Sequence, residues 1–428
     1  MATNVRFRLV AVVVVFTTFL GIYSARSWDK YEKGTNFDMY YTAACLVRSG
    51  MSVHIYDVID KDTNPQYIFA DSRTVWAQTA RAHGISRITL YLYPPTLADL
   101  IVPLTALSHS TAYTVWNLLG VLMIVGLSAA LVRMLNMNFF GSTALVATAV
   151  LLYRPTLNTF HWGQVTILLA FLLTIGLISY LHGNKNLAAL LFVLAIAIKL
   201  EPIVILIPII AWRDWKCLRS IAICAVLLGL GLWAVNGRDA LNLYFLHQLP
   251  AMSAGAQGGP SSSGFDVDRT LGNVFYAYLG GAHYSVSSRA LSWFTRLLSA
   301  LILCYAGWLS RVKPEENPTN LRKFEIGVVF LLFCCCLAPY SAFYNWALSA
   351  PVLVMFCKRA WDGRANMLET AFMIALLLSL ATSKYNMPMV TPFFGVALGI
   401  VALRQMRFES RPAGINNSII QLKTVNAS

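Results

Sequence analysis

The feature that most constrains this chain is the recurrence of long apolar segments from one end to the other. Hydrophobic residues make up 57% of the 428 residues and charged residues only 12%, whereas soluble domains carry roughly 25% charged residues. Helices satisfy their own backbone hydrogen bonds in lipid, and a helix of ~20 apolar residues crosses the hydrocarbon core. The sequence therefore predicts an all-α, polytopic membrane protein.

Thirteen apolar segments can be counted, and a few of them are short for a membrane crossing. They lie at 9–25, 96–108, 111–132, 139–153, 165–181, 187–198, 202–212, 217–235, 291–309, 324–338, 346–357, 366–382 and 388–403. At ~1.5 Å per residue, 96–108 spans only about 20 Å. Either 96–108 is a half-membrane element, or 187–212 is one helix broken at Pro202. Both readings give a helical bundle of about twelve transmembrane helices.

The positions of the positive charges predict how the chain is oriented. Lys and Arg, which give a net charge of +14, cluster in the short segments 213–219, 310–323, 358–365 and 404–428. Cytoplasmic loops carry such an excess, so both termini are predicted to face the cytoplasm of a bacterial inner (plasma) membrane, the first apolar segment being a retained signal-anchor. Basic loops so placed favour contact with membrane lipids, and no nucleic-acid binding is expected.

Two long loops, 26–88 and 236–290, are then predicted on the external face. Both belong to a single membrane-embedded unit spanning 1–428, of which 404–428 is the cytoplasmic tail. The composition of the two loops is not that of a disordered linker. We therefore expect chemistry, if there is any, on the external side.

The first external loop is predicted to contain two short amphipathic helices, over 36–48 and 65–82. Asn36 or Asp38 can cap the first helix, and Gly50 follows its end. Tyrosine and tryptophan on the apolar sides favour a position flat at the membrane interface.

Asp38 is the first candidate for chemistry. A carboxylate on a short helix outside the bilayer, among aromatic residues, is well placed to act as a general base. Tyr41 lies on the same helix, and aromatic rings of this kind stack on sugars. The alternative is that Asp38 only caps the helix.

Three further candidates lie beside helix ends. Tyr93, before two prolines, either lines the mouth of a cavity or anchors the chain at the interface. Gln164 either binds substrate hydroxyls or satisfies free backbone donors. Lys199 lies between two apolar runs, where a charged residue is commonly functional, and its positive charge suits a phosphate. The alternative is that Lys199 only pairs with Glu201.

The later external segments contain weaker candidates. Asp266 and Asp268 fit a divalent cation or an acid–base pair, or are simply solvated, and Arg269 beside them is a candidate substrate-binding cation. Tyr344 and Asn345 fit substrate binding or plain interface anchoring. The eight cysteines have no metal-ligand spacing, so neither a metal nor a cofactor is expected.

Taken in order, five short motifs resemble glycosyltransferase family 87 over residues 1 to about 400. They are N-F-D-x-Y-Y at 36–41, Y-x-Y-P-P at 91–95, G-Q at 163–164, K-x-x-P at 199–202 and P-Y-x-x-x-Y-N at 339–345. The resemblance implies a GT-C fold, the architecture of enzymes related to polyprenyl-phosphate-mannose-dependent mannosyltransferases.

The resemblance also implies an activity. A hexose, mannose in the related enzymes, would pass from a polyprenyl-phosphate donor to a lipid or glycan acceptor on the extracytoplasmic face, with inversion. Asp38 would be the general base and Lys199 would offset charge on the departing phosphate. Several relatives carry His or Asp where this chain has Tyr344 and Asn345, so a second acid–base residue is not expected there.

Two other functions compete with glycosyl transfer. A transporter or flippase of a lipid-linked sugar is disfavoured because no inverted repeat is visible. An O-antigen-type polymerase or ligase is disfavoured because 236–290 carries few arginines, namely Arg238, Arg269 and Arg289. The sequence contains no indication of the oligomeric state.

Overall fold

The computed structural model describes residues 35–57, 73–85, 91–250, 288–311, 319–337, 343–381 and 390–409, and within these ranges all regular secondary structure is helical. The α-helices in chain order are α1 (Thr35–Arg48), α2 (Val75–Ala82), α3 (Pro95–Ile101), α4 (His109–Met134), α5 (Phe139–Leu152), α6 (Arg154–Trp162), α7 (Thr166–Leu181), α8 (Lys185–Ile198), α9 (Leu206–Ala211), α10 (Trp215–Asn242), α11 (Ser288–Leu309), α12 (Asn320–Leu337), α13 (Ala350–Trp361), α14 (Met367–Ala381) and α15 (Thr391–Glu409). The prediction of an all-helical chain is confirmed for these ranges.

Every predicted apolar segment within the described ranges coincides with a helix or with a pair of short helices. The segment 96–108 is α3 followed by a 3₁₀ helix, Val102–Ala106, because Pro103 interrupts the α-helical hydrogen bonds. The segment 202–212 is likewise a 3₁₀ helix, Glu201–Ile205, followed by α9. The first segment, 9–25, lies outside the described residues.

Among the described residues, two helical stretches are long and apolar enough to cross a bilayer, His109–Met134 and Trp215–Gln248. Their apolar side chains are largely uncovered; Leu122 is 59% exposed and Leu227 63% exposed. A soluble protein buries such residues, whereas lipid covers them in a membrane protein. The other apolar helices are shorter, so the number of about twelve crossings stays a prediction.

Two predicted segment boundaries fall inside helices. The loop predicted to begin at 236 is still helical, because α10 continues to Asn242 and a π-helix follows over Leu243–Gln248. Apolar residues extend the pattern, and Gly237 absorbs a kink with φ of +76°. The tail predicted to begin at 404 starts inside α15, which ends at Glu409.

The first-loop helices exist, but α1 is more deeply covered than predicted. Phe37, Tyr40 and Leu46 are fully buried, because α2, α3, α4 and α6 enclose the helix on several sides. An amphipathic helix at an interface would leave one face in water. The second helix is confirmed only as α2, and residues 65–72 of its predicted range lie outside the described residues.

A buried ion network joins the ends of α12, α13, α14 and α15. Arg359, which is fully buried, contacts Glu325 at 3.0 Å, Glu369 at 3.3 Å and Glu409 at 2.9 Å. Arg364 adds a contact of 2.6 Å to Glu325. Because a buried charge is costly without a partner, the carboxylates and the guanidinium groups depend on one another.

Replacing Arg359 with leucine is expected to destabilise the protein by about 3–5 kcal/mol, since the buried Glu369 would lose its cationic partner and Glu325 would keep only Arg364. Thermal unfolding of the purified full-length protein in detergent measures the effect. Lys358→Leu is the matched control: its contact with Asp362 is partly exposed, and such pairs contribute about 0–1 kcal/mol. Equal losses in the two variants would contradict a structural role for the network.

Candidate functional site

The turn between α6 and α7 is at the centre of the site. Gly163 adopts φ of +64° after the end of α6, and the N–H of Gln164 donates to the carbonyl of Thr159 at 2.9 Å. This left-handed helix end favours glycine. A Cβ at Gly163 would lie 2.7 Å from the Cβ of Phe37, so the turn packs directly against α1.

Gln164 is bound from two directions through its side-chain oxygen. The hydroxyls of Tyr40 and Tyr93 both donate to its Oε1 at 3.0 Å. The residue is only 3% exposed, and its Nε2 makes no hydrogen bond to any described part of the chain. Since the tyrosines fix which end of the amide is the acceptor, its N–H groups are left as donors for another molecule.

Helix α4 supports the same turn. The hydroxyl of Tyr113 donates to the carbonyl of Phe160 at 2.9 Å, and Nε1 of Trp116 donates to the carbonyl of Gly163 at 3.1 Å. A cavity of about 10 Å³, lined by Trp116, Asn117 and Gln164 among others, lies beside them. It has room for roughly one water molecule.

Asp38 lies in the first turn of α1 and is 8% exposed. Nε2 of His109, the first residue of α4, lies 2.8 Å from its Oδ1. The distance is that of an ion pair, although the imidazole N–H is not aligned on the oxygen. His109 was not predicted as a site residue; its one distinguishing feature in the sequence is that it follows Ser108, a typical helix-capping residue.

Tyr41 is held by the protein rather than presented to a ligand. Its hydroxyl donates to the carbonyl of Leu107 at 2.8 Å, and its ring stands edge-on to His83 and His109. Burial raises the pKa of Tyr41 above its usual value, Cys45 adds to the rise and Arg48 opposes it. The phenol therefore stays protonated at neutral pH.

Asn345 connects to the same region through α7. Its Oδ1 accepts a hydrogen bond from Thr166 at 3.3 Å, and its Nδ2 is buried without a partner among the described residues. Its backbone carbonyl accepts a weak bond from Sγ of Cys335 at 3.5 Å. Because Thr166 follows Gln164 by two positions, this hydrogen bond places Asn345 close to the turn.

Lys199 lies at the break between α8 and the following 3₁₀ helix, in an extended conformation. Its Nζ is 3.3 Å from Glu201, and both side chains are mostly buried. The ion pair considered from the sequence is therefore formed. It leaves donors on the ammonium group for a second anion.

Some predicted site residues cannot be placed. Arg269, Asp266, Asp268 and the side chain of Tyr344 lie outside the described residues. Within the described ranges, no three His, Cys, Asp or Glu residues lie close enough to hold a metal ion. The structure thus brings Tyr93 and Gln164 together, and Asn345 joins the same region through Thr166. Asp38 lies on α1, the helix that also contains Tyr40.

Gly163→Ala is expected to destabilise the protein more than Gly183→Ala. Both positions have a positive φ, which costs an alanine about 1–2 kcal/mol, but only the Cβ at 163 meets Phe37 and Tyr113, whereas nothing lies within 4 Å at 183. Thermal unfolding in detergent measures both effects. Equal shifts would mean that the turn and α1 are not tightly packed.

Comparison with known proteins agrees with these features. The model of glycosyltransferase family 87 matches residues 91–339, a range that contains Tyr93, Gln164 and Lys199 but not Asp38. A polyprenol-phosphate-mannose-dependent α-(1-2)-phosphatidylinositol mannoside mannosyltransferase of Mycolicibacterium smegmatis (strain ATCC 700084 / mc(2)155) is 26% identical over 316 residues, 69% of this chain and 68% of that protein. Because the family model covers more than half of the chain, this protein belongs to glycosyltransferase family 87 and is a membrane glycosyltransferase.

Proposed function

We propose that the enzyme transfers mannose from a polyprenyl-phosphate donor to a lipid or glycan acceptor at the extracytoplasmic face of the bacterial inner membrane, with inversion. The observation that carries this proposal is the position of Asp38, a mostly buried carboxylate on the helix that also binds Gln164. The mannosyltransferase of M. smegmatis, named for its dependence on polyprenol-phosphate-mannose, supports the choice of donor.

In this proposal Asp38 is the general base. It accepts the proton of an acceptor hydroxyl while that oxygen attacks the anomeric carbon from the side opposite the phosphate. The bond between the anomeric carbon and the phosphate oxygen breaks, and the polyprenyl phosphate leaves with the electron pair. The donor is already activated, so the protein needs to supply only orientation, a base and charge stabilisation.

The remaining residues bind the two substrates. Gln164 offers oriented N–H donors to a sugar oxygen, while Tyr40 and Tyr93 hold its amide in place. Lys199 offsets the negative charge on the leaving phosphate, and Glu201 positions its ammonium group. Asn345 and, by its neighbouring position, Tyr344 contact the sugar or the acceptor, and Arg269 contributes a further cation.

The acceptor is the least specified component. The relative is named for phosphatidylinositol mannoside, so a mannosylated lipid is the first acceptor to test here. Such a lipid presents its sugar hydroxyls at the membrane surface, next to a donor held in the same bilayer.

Asp38→Asn is expected to lower mannose transfer by about 10²–10⁴-fold, the usual contribution of a general base. Purified full-length protein in nanodiscs is supplied with a short-chain polyprenyl-phosphate mannose and phosphatidylinositol mannoside, and the product is measured by mass spectrometry. Asp57→Asn, which changes a carboxylate elsewhere in the same predicted loop, should retain activity.

Full activity in Asp38→Asn would overturn its assignment as base. If the wild-type protein instead moves labelled donor across vesicles without forming a glycosidic bond, the flippase hypothesis replaces this proposal.

Gln164→Glu tests the N–H donors of the amide separately from its oxygen acceptor. A carboxylate still accepts bonds from Tyr40 and Tyr93, but it has no N–H to donate and it repels a phosphate. We expect a loss of at least about 10-fold in kcat/KM with little change in kcat, since ground-state binding is removed. Gln78→Glu, on the surface of α2, is the control, and an unchanged KM in Gln164→Glu would contradict the binding role.

A further inference from the structure

His109 is held in a fixed position beside the proposed base. Ser108 caps α4, accepting a hydrogen bond from the N–H of Thr111 at 3.4 Å, and so sets where the helix begins. The imidazole packs against Phe37 at 5.9 Å and edge-on against Tyr41 at 5.3 Å, measured between ring centroids. Both rings belong to α1, so the imidazole and Asp38 are held by the same helix.

The contact joins two groups that are largely removed from water. Nε2 lies 2.8 Å from Oδ1, and the side chains of His109 and Asp38 are 25% and 12% exposed. Because catalytic hydrogen bonds are often poorly aligned before substrate binds, the present geometry suits a contact that tightens in the substrate complex.

The charge state of His109 affects what Asp38 can do. A neutral imidazole with its proton on Nε2 donates one N–H and fixes the orientation of the carboxylate. A protonated imidazole would add a positive charge at 2.8 Å, which favours the ionised carboxylate and makes it a weaker base. The neutral form is therefore the one that suits a general base.

Other titratable groups around the pair are less able to produce this effect. Tyr41 keeps its proton, since burial raises its pKa. Tyr113 on α4 donates its hydroxyl to a backbone carbonyl. His83, which follows α2, contacts the Tyr41 ring, and Arg48 lies ten residues along α1 and donates to Thr105.

We propose that His109 is a positioning residue, which as a neutral donor orients the Asp38 carboxylate toward the acceptor hydroxyl. This inference rests on the proposed function, because it assumes that Asp38 is the base. It adds a residue that the five motifs do not contain.

The test compares His109→Ala with His109→Gln in the mannose-transfer assay. The alanine variant should lose about 10- to 100-fold in kcat with KM changed less than about 2-fold, because orientation is lost and not binding. Glutamine can donate from a similar position but cannot take up a proton to become a cation. It should recover most of the activity.

His54→Gln is the matched control. Nδ1 of His54 lies 2.8 Å from Oδ1 of Asp57, which forms a second His–Asp pair in the same predicted loop. This variant should keep both the wild-type rate and the wild-type pH profile, so any general effect of removing an imidazole is subtracted.

The outcomes separate the two proposals. Full activity in Asp38→Asn defeats the proposed function. An inactive Asp38→Asn with a wild-type rate and pH profile in His109→Ala defeats only this inference. If the alanine variant does not fold, the glutamine variant decides: inactivity equal to that of Asp38→Asn overturns the role of His109.

Discussion

The side-chain oxygen of Gln164 accepts two tyrosine hydroxyls, and much of the site depends on this shared contact. Tyr40 comes from α1 and Tyr93 from the segment before α3, so one amide connects three parts of the chain that are far apart in sequence. Buried donors and acceptors without partners are costly. The two tyrosine hydroxyls and the amide oxygen of Gln164 therefore favour one arrangement of the three segments that contain them. The arrangement draws α1 into the bundle and places Asp38 beside α4.

The candidate residues lie where helices are interrupted. Gln164 follows the end of α6, Lys199 follows the end of α8, and Asn345 lies in a 3₁₀ helix before α13. Non-helical backbone at membrane depth is tolerated only where protein covers it or where it lines a cavity. These breaks free side chains and backbone groups from helical geometry, and the enclosed surroundings strengthen their electrostatic interactions.

Apolar periodicity and length predicted the helices well, since the described apolar segments all became helical and Asp38 was placed on a short helix. Helix α6 was missed because Arg154, Asn158 and His161 interrupt its apolar pattern. The contact of Asp38 with His109 was not predictable, because 71 positions separate two residues that meet only after folding. The burial of Arg359 was equally hidden, because the positive-inside rule treats every loop cation as solvated.

The central claim is that a polyprenyl-phosphate sugar reacts beside Asp38. An experimental structure of the full-length Asp38→Asn variant in a nanodisc, with a polyprenyl-phosphate mannose bound, tests it most directly. We expect one acceptor hydroxyl to fit between residue 38 and the anomeric carbon, at roughly 3–3.5 Å from each of them. We also expect the phosphate of the donor to lie near Lys199. A donor bound with its sugar away from α1 and the turn at Gly163 would contradict the account.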